Sequence, residues 1–237
     1  MKRRILWCIL CVCLASTSLF AQEPALLSRV HDTEACRKWV DGQMEKMTLK
    51  QKVGQLFIYT LQPVTHQYSK NVLRKMVDDY GVGGLLFTGG ELRKQVQMTN
   101  YAQAHASVPL MVTFDGEWGL GMRLKDTPSF PYNRVLGCIQ NDSLLYEYGK
   151  EVARQCRLIG VQINFAPVAD VDNNPNNPVI NFRSFGSDPK RVAEKVAAYV
   201  KGLEENGVLG VCKPFPGHVD TEIDSHNAMP EFNYESA

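Results

Sequence analysis

Short apolar segments alternate with helical patterns along this chain of 237 residues, and this alternation restricts its possible folds more than any other feature. Several segments are apolar on both faces, as strands buried in a parallel sheet must be. Strands that alternate with helices predict a parallel α/β fold, in which the helices cover the sheet. The strand candidates are residues 55–60, 83–87, 109–115, 163–171 and 208–213.

The helical patterns between these segments carry their own start and stop signals. Thr48 and Gln51 have the spacing of a capping box at the head of one helix. Asp188 is the expected N-cap of another, with Pro189 at its first position and Gly207 at its end. A third helix, from about residue 142 to residue 160, is expected to bury a row of side chains at four-residue spacing: Leu144, Tyr148, Val152 and Cys156.

Polar side chains directly follow three of the strand candidates. Asp115 ends one of them, Asp170 and Asp172 stand at the end of the next, and Lys213 ends the last. In a (β/α)-barrel the carboxyl ends of the strands form the mouth of the active site. The placement of these residues is therefore what an enzyme with that fold would need.

The segment from Lys213 to Pro230 reads KPFPGHVDTEIDSHNAMP, and its residue types indicate chemistry. Its prolines and glycine end the preceding strand and stiffen the loop. Side chains two apart in extended backbone point to the same side, so Asp224 can accept a hydrogen bond from one nitrogen of His226 and leave the other nitrogen for proton transfer. That pair has the design of a general acid or base.

A zinc site is the alternative interpretation of this loop. His218, Asp220 and His226 would supply three ligands, but nothing in the sequence identifies a fourth ligand or its supporting groups. We therefore predict no metal and no organic cofactor.

The N-terminus has the layout of a secretory signal peptide. Lys2, Arg3 and Arg4 precede an apolar run and a small-residue stretch that ends at Ala21. A membrane anchor is less favoured, because the apolar run is shorter than the ~20 residues of a spanning helix. We expect cleavage after Ala21, which leaves a domain over residues 22–237 and a periplasmic or secreted protein.

Removal of residues 1–21 changes both the charge and the cysteine count. The leader holds three of the 26 basic residues and none of the 25 acidic ones, so the mature chain carries 23 minus 25, or −2. This balance does not indicate nucleic-acid binding. Four widely spaced cysteines remain, which we expect to be buried, unpaired thiols: Cys36, Cys138, Cys156 and Cys212.

The loop that begins at Lys213 resembles the signature K-H-F-P-G-H-G-D-T-x-x-D-S-H of the β-N-acetylglucosaminidase branch of glycoside hydrolase family 3. It differs at Pro214, where the family has histidine, and at Val219, where the family has glycine. Four further blocks agree with the family in the same order: residues 44–57, 80–87, 114–124 and 163–189. The resemblance extends over roughly residues 44–230.

This resemblance implies a (β/α)8 TIM-type barrel, of which about the first five β/α units are present. It also places the catalytic nucleophile, an aspartate, on a seventh strand beyond residue 237. We therefore expect the chain to be an N-terminal fragment of the catalytic domain that is inactive by itself.

The resemblance also implies roles for individual residues. Asp224 and His226 would form the catalytic acid/base dyad, and His218 would shape their loop. Four residues would hydrogen-bond the sugar: Asp115, Arg123, Arg183 and Lys213. Glu117 would support the site without a catalytic role. Trp118 is either an aromatic platform for a sugar ring or part of the core, and Pro214 cannot supply the ring nitrogen of the family's histidine.

The function implied is that of an exported, retaining exo-glycosidase that removes terminal β-linked N-acetylglucosamine from peptidoglycan fragments or related glycans. Its partner would be a carbohydrate substrate, with no nucleic acid and no stable membrane span after signal cleavage. One alternative is a sugar-binding pseudo-enzyme without hydrolytic activity. Another is a β-glucosidase-type member of the same family, against which the D-S-H triplet argues.

Overall fold

A computed structural model describes residues 33–62, 67–215, 217–218 and 221–229, with the backbone alone for residues 67–69. The strands of its main, five-stranded sheet are β1 (Ile58–Leu61), β2 (Gly84–Phe87), β4 (Met111–Phe114), β6 (Ile163–Asn164) and β7 (Leu209–Gly210). A separate parallel pair consists of β3 (Gly90–Glu91) and β5 (Leu124–Lys125).

Helices separate most of these strands. They are α1 (Thr33–Lys46), α2 (Leu49–Gly54), α3 (Gln67–Arg74), α4 (Leu92–His105), α5 (Asn133–Leu136), α6 (Ser143–Leu158) and α7 (Pro189–Glu205). A wider π turn, Lys75–Asp79, follows α3, and two short 3₁₀ turns lie at Leu120–Met122 and Asn181–Arg183.

The main sheet is parallel throughout, and its spatial order β1-β2-β4-β6-β7 follows the chain without reversal. Sequential order of this kind is that of a barrel, whereas a doubly wound sheet reverses its order at a switch point. The predicted fold class, a (β/α)8 TIM-type architecture with about five units in this chain, is therefore confirmed.

Four of the five strand candidates contain a strand, and β1 overlaps the fifth, 55–60, and ends one residue beyond it. All five observed strands are shorter than their candidates. In the candidate 163–171 only Ile163–Asn164 pairs regularly, followed by an isolated bridge between Val168 and Lys213. Pro167 explains the interruption, because proline has no N–H to donate to a neighbouring strand.

The predicted helix signals are confirmed at three positions. The Thr48 N–H donates to Gln51 Oε1 at 3.0 Å, and the Gln51 N–H donates to Thr48 Oγ1 at 3.2 Å, which completes the capping box. Asp188 accepts the first free N–H groups of α7. Gly207 ends that helix with φ +86°, a value that favours glycine.

Helix α6 buries Tyr148, Val152 and Cys156 as predicted, but Leu144 is 53% exposed and Leu145 is buried in its place. A strict four-residue row drifts around a helix of 3.6 residues per turn, so its first member has left the buried face. The buried face packs against α7, where a Cβ on Gly149 would lie 2.3 Å from the Tyr199 carbonyl oxygen. Glycine is therefore required for the close approach of these two helices.

The cysteine prediction is partly wrong. All four described cysteines are free thiols, as expected, but only Cys156 is buried. Cys36, Cys138 and Cys212 are exposed. The reason is that wide spacing indicates the absence of a disulfide framework but does not determine burial.

No helix within the described ranges combines the length and the apolarity needed to cross a membrane. The predicted signal peptide, residues 1–21, lies outside those ranges.

Candidate active site

A cavity of about 510 Å³ opens beside Asp115 and Lys213, the residues that follow β4 and β7. All four predicted sugar-binding residues line it, together with one member of the predicted dyad: Asp115, Arg123, Arg183, Lys213 and His226. The barrel therefore brings together groups that are up to 111 positions apart in the sequence, counting from 115 to 226.

The segment after β4 is held by a buried amide. Asn164, at the end of β6, accepts a hydrogen bond from the Gly116 N–H at 2.9 Å and donates one to the Gly116 carbonyl at 3.1 Å. This double contact fixes the peptide between Asp115 and Glu117. Gly119 then turns the chain towards Arg123 with φ +82°, and a Cβ there would lie 2.8 Å from the ring of Phe130.

Asp115 is the centre of a set of ion pairs in the cavity wall. Its Oδ2 accepts a hydrogen bond from Arg123 Nη2, and its Oδ1 accepts one from Lys213 Nζ. Burial by itself raises the pKa of Asp115, but the charge and hydrogen bond of Lys213 and those of Arg123 outweigh it and hold the pKa below its ordinary value. The carboxyl group is therefore an anion at neutral pH.

Glu117 is fully buried and links Lys213 to the third cation, Arg183. Its Oε1 accepts from Arg183 Nη2 at 2.7 Å, and Arg183 Nε lies 3.2 and 3.1 Å from its two oxygens. Lys213 Nζ lies 2.8 Å from the same Oε1. Burial lowers the pKa of Arg183, but the hydrogen bonds and charge of Glu117 more than offset this and raise it overall. Three cations and two carboxylates thus form one chain of contacts, and the supporting role predicted for Glu117 takes a definite form.

Asp224 and His226 are in direct contact. Asp224 Oδ1 accepts from His226 Nδ1 at 2.6 Å and from the His226 backbone N–H at 2.9 Å. The backbone hydrogen bond, followed by that of the ring, lowers the pKa of Asp224. Since an ionised carboxylate can only accept, Nδ1 carries a proton, and Nε2 is the nitrogen that can exchange a proton with a ligand. The His226 side chain is 77% exposed.

His218 shapes the loop that carries this pair. Its backbone N–H donates to Asp170 Oδ2 at 2.6 Å, and its Nδ1 lies 2.7 Å from Thr221 Oγ1. The Ser225 N–H donates to His218 Nε2 at 3.4 Å, so that nitrogen is an acceptor and Nδ1 carries the proton. A buried imidazole with both nitrogens bonded in this way ties residue 225 back to the end of the sheet.

Trp118 is half-buried at the cavity, and its two predicted roles, a platform for a sugar ring or part of the core, stay predictions. It lines the cavity and contacts two aromatic side chains for which no role was predicted, Tyr132 and Phe182. No local signal could have found them, because the three residues come from separate loops. Pro214 also lines the cavity, in the place where the resembled family has histidine.

We expect Asp115→Asn to remove part of the pH dependence of unfolding. A carboxyl group whose pKa is lowered by folding contributes stability above its unfolded pKa, about 3.9, and this contribution is lost as the pH falls through the folded pKa. The free energy of urea unfolding should therefore differ most between wild type and variant at neutral pH, and the difference should shrink below about pH 4. Asp41→Asn, on exposed α1, is the control. A difference that stays constant down to about pH 3 would contradict the expected linkage.

Comparison with known proteins points in the same direction. The chain is 34% identical over 176 residues to beta-hexosaminidase A of Pseudoalteromonas piscicida. The aligned segment covers 69% of this chain and 29% of that protein. It is similar in structure to a glycoside hydrolase family 3 beta-N-acetylglucosaminidase from Paenibacillus sp. str. FPU-7, with a TM-score of 0.69, 34% identity, and coverage of 78% of this chain and 36% of the other. The chain therefore spans about a third of the length of these relatives.

A further similar structure is the zinc-bound CbsA of Thermotoga neapolitana, with a TM-score of 0.67, 29% identity, and coverage of 78% of this chain and 39% of the other. In this chain the two histidines that were weighed as zinc ligands already have other partners. Both ring nitrogens of His218 are hydrogen-bonded, and His226 Nδ1 is bound to Asp224. Within the described ranges no group of three or more potential ligands is close enough to hold a metal. Asp220 lies outside those ranges.

The family model described as the glycosyl hydrolase family 3 N terminal domain matches residues 48–237, the greater part of the chain. The order of the strands, the loop with its aspartate–histidine pair and the charged cavity all agree with this match. The chain therefore belongs to glycoside hydrolase family 3.

Proposed function

We propose that this protein is an exported, retaining exo-glycosidase that removes terminal β-linked N-acetylglucosamine from glycans such as peptidoglycan fragments. The observation that carries the proposal is the 2.6 Å contact between His226 Nδ1 and Asp224 Oδ1 at the edge of the charged cavity. The names of the relatives support the sugar: one is a beta-hexosaminidase and another a beta-N-acetylglucosaminidase.

In this proposal His226 acts twice. A protonated Nε2 gives its proton to the glycosidic oxygen as the bond to the anomeric carbon breaks, while a carboxylate attacks that carbon and forms the glycosyl-enzyme. The neutral Nε2 then takes a proton from the water that hydrolyses this intermediate. Asp224 holds the ring and stabilises its positive form. Asp115, the carboxylate that lines the cavity, is assigned to sugar binding in this proposal and not to the attack on the anomeric carbon.

The charged residues of the cavity would hold the sugar that is cleaved. Arg123, Arg183 and Lys213 present N–H donors, and Asp115 presents acceptor oxygens, to ring hydroxyls. Their mutual ion pairs keep these long side chains in place before the ligand arrives, which lowers the entropy cost of binding. Pro214 presents an apolar surface instead of a ring nitrogen, so the hydroxyl pattern that is preferred can differ from that of relatives with histidine.

The test is the release of N-acetylglucosamine from N,N′-diacetylchitobiose and from disaccharide peptidoglycan fragments by the protein expressed from its complete reading frame. Retention of the β configuration should be visible by NMR in the first product. Binding of these sugars without cleavage would favour the pseudo-enzyme alternative. Faster cleavage of an aryl β-glucoside than of the matching aryl β-N-acetylglucosaminide would favour the β-glucosidase alternative.

Export is part of the proposal. It rests on the basic and apolar layout of residues 1–21, followed by the catalytic domain from residue 22. Mass spectrometry of the protein recovered outside the cytoplasm should give an N-terminus at Gln22. An N-terminus at Met1 would contradict cleavage after Ala21.

We expect chelation to leave the activity unchanged. The dyad and the charged cavity provide proton transfer and charge stabilisation without a metal, and the ring nitrogens of His218 are already bonded. Hydrolysis should proceed at the same rate before and after dialysis against EDTA. Loss of activity that zinc restores would contradict this and would make His218, Asp220 and His226 the first ligands to test.

A further inference from the structure

The aspartate–histidine pair is carried by an exposed segment, the dyad loop, which the structure describes at residues 217–218 and 221–229. Seven of the nine residues 221–229 are exposed, so this part of the loop has little packing to hold it. A general acid nevertheless needs a fixed position, because a displacement of about 1 Å can cost about 100-fold in rate. The groups that hold this loop therefore bear on catalysis.

His218 is the buried anchor of the dyad loop, and all four of its polar groups have partners. Its N–H donates to Asp170 Oδ2 at 2.6 Å, and its carbonyl accepts from Asn177 Nδ2 at 2.6 Å. Its Nδ1–H donates to Thr221 Oγ1 at 2.7 Å, and that hydroxyl donates in turn to the His218 carbonyl at 3.2 Å. Its Nε2 accepts from the Ser225 N–H, which lies between the two members of the dyad.

Asp170 and Asn177 hold the two ends of this anchor, and we call them the peptide clamp. Both belong to the loop after β6, and they are only 7% and 3% exposed. A hydrogen bond from a backbone N–H to a carboxylate is charge-assisted and therefore of the stronger kind. The Asn177 amide is itself oriented, because its Oδ1 accepts from two backbone N–H groups of its own loop at 2.9 and 2.8 Å. Its Nδ2 is thereby directed at the His218 carbonyl.

The dyad loop is thus held from the side, by the neighbouring β/α loop. Three hydrogen bonds between described residues join the dyad loop to the rest of the chain, and all three come from the loop after β6. Two belong to the peptide clamp, and the third, from Asn176 Nδ2 to Glu222 Oε1 at 3.2 Å, is exposed. Burial of a carboxylate and an amide costs free energy that an apolar pair would not cost. Packing alone therefore does not explain the clamp.

We propose that Asp170 and Asn177 are positioning residues for the catalytic acid/base. They fix the His218 peptide, and His218 transmits this constraint to the dyad through its hydrogen bond with Ser225. The inference rests on the proposed function and adds the groups that place its proton donor. Neither clamp residue lines the cavity, so the clamp acts on kcat and leaves the binding of the sugar to the charged residues.

The test uses the protein expressed from its complete reading frame and two substrates. The leaving sugar of N,N′-diacetylchitobiose needs a proton, whereas that of an activated aryl N-acetyl-β-glucosaminide needs little protonation. Asn177→Asp keeps the acceptor for its own loop but turns the donor that faces the His218 carbonyl into an acceptor. We expect it to lower kcat for the disaccharide about tenfold or more, with KM nearly unchanged. Glycosylation by the aryl substrate should slow much less.

Substitutions of the second clamp residue extend this test. Asp170→Ala removes the acceptor of the His218 N–H and should have the same effect as Asn177→Asp. Asp170→Asn keeps the volume and an acceptor oxygen, so it should retain more of the rate. If Asp170→Ala fails to fold, the comparison of Asp170→Asn and Asn177→Asp with wild type decides.

Asn206→Asp is the matched control. The Asn206 amide also donates to a backbone carbonyl, that of Gly202 at 2.9 Å, but it does so at the end of α7 and away from the cavity. A negative charge at a helix C-terminus is unfavourable, so this variant also tests whether lost stability changes the kinetics. It should leave the ratio of the two rates unchanged.

A double variant separates positioning from a merely structural role. When His226 is replaced by alanine no ring remains to be placed, so adding Asn177→Asp should lower kcat little further. An equal loss from Asn177→Asp with and without His226 would overturn the inference. So would an equal fall in rate on both substrates, or an unchanged ratio in all the clamp variants that fold.

Failure of the proposed function gives a different result, because the wild-type protein then cleaves neither substrate. Amide hydrogen exchange followed by NMR in that case tests the clamp directly. The Ser225 amide should exchange at least about tenfold faster in Asn177→Asp than in wild type and in Asn206→Asp. Equal exchange in all three proteins would overturn the inference.

Discussion

His226→Ala is expected to lower kcat for glycosides with poor leaving groups by about 10²–10⁴-fold, the loss typical of a missing general acid. A sugar leaving group needs a proton as its bond breaks, and Nε2 is the nitrogen that Asp224 leaves for this transfer. Activated aryl glycosides leave without full protonation, so their glycosylation step should suffer less. Steady-state and burst kinetics on N,N′-diacetylchitobiose and on an aryl N-acetyl-β-glucosaminide measure both effects.

His105→Ala provides the matched control. This exposed histidine is the last residue of α4, and its ring stacks on that of Tyr101. Its Nδ1 is hydrogen-bonded to the Tyr101 backbone carbonyl, and it does not line the cavity. This substitution should leave kcat unchanged for both substrates. Asp224→Asn, which keeps the ring in place but removes the charge that stabilises imidazolium, should fall between wild type and His226→Ala. Equal rates for wild type and His226→Ala on both substrates would sink the assignment of the dyad.

Local sequence signals predicted the parts of the fold that depend on near neighbours. The capping box of Thr48 and Gln51 and the N-cap at Asp188 involve groups two to three residues apart, so their chemistry is visible in the sequence. The position of Asp115 after an apolar strand was equally visible. In each case a short segment contains both partners of the interaction.

The arrangement of the site could not be predicted in the same way. Glu117 contacts Arg183 across 66 positions, and whether a carboxylate in that segment touches solvent, sugar or cation depends on the packing of two loops. The contact between the rings of Tyr132 and Phe182 likewise depends on the packing of separate loops. Sequence indicated the residue types of the site, whereas only the fold shows which charge faces which.

Glu117→Leu is expected to destabilise the protein more than any other substitution proposed above. It leaves Arg183 without its bidentate partner and Lys213 with Asp115 alone. Removal of one partner of a buried ion pair typically costs about 3–5 kcal/mol, and because both cations are partly exposed we expect the lower end, about 3 kcal/mol. Urea unfolding followed by circular dichroism measures this difference, and Glu117→Gln, which keeps the volume and an acceptor oxygen, should lose less.

The pair of Glu151 and Arg154 offers a control of the same chemistry on the surface of α6. Their side chains are 37% and 60% exposed, and Glu151→Ala should destabilise the protein far less than Glu117→Leu. Glu117→Gln should also raise KM more than it lowers kcat, because it loosens two cations that would hold the sugar and leaves the dyad intact. A Glu117→Leu variant as stable as Glu151→Ala, with unchanged KM, would show that Arg183 and Lys213 are positioned by the fold without this carboxylate.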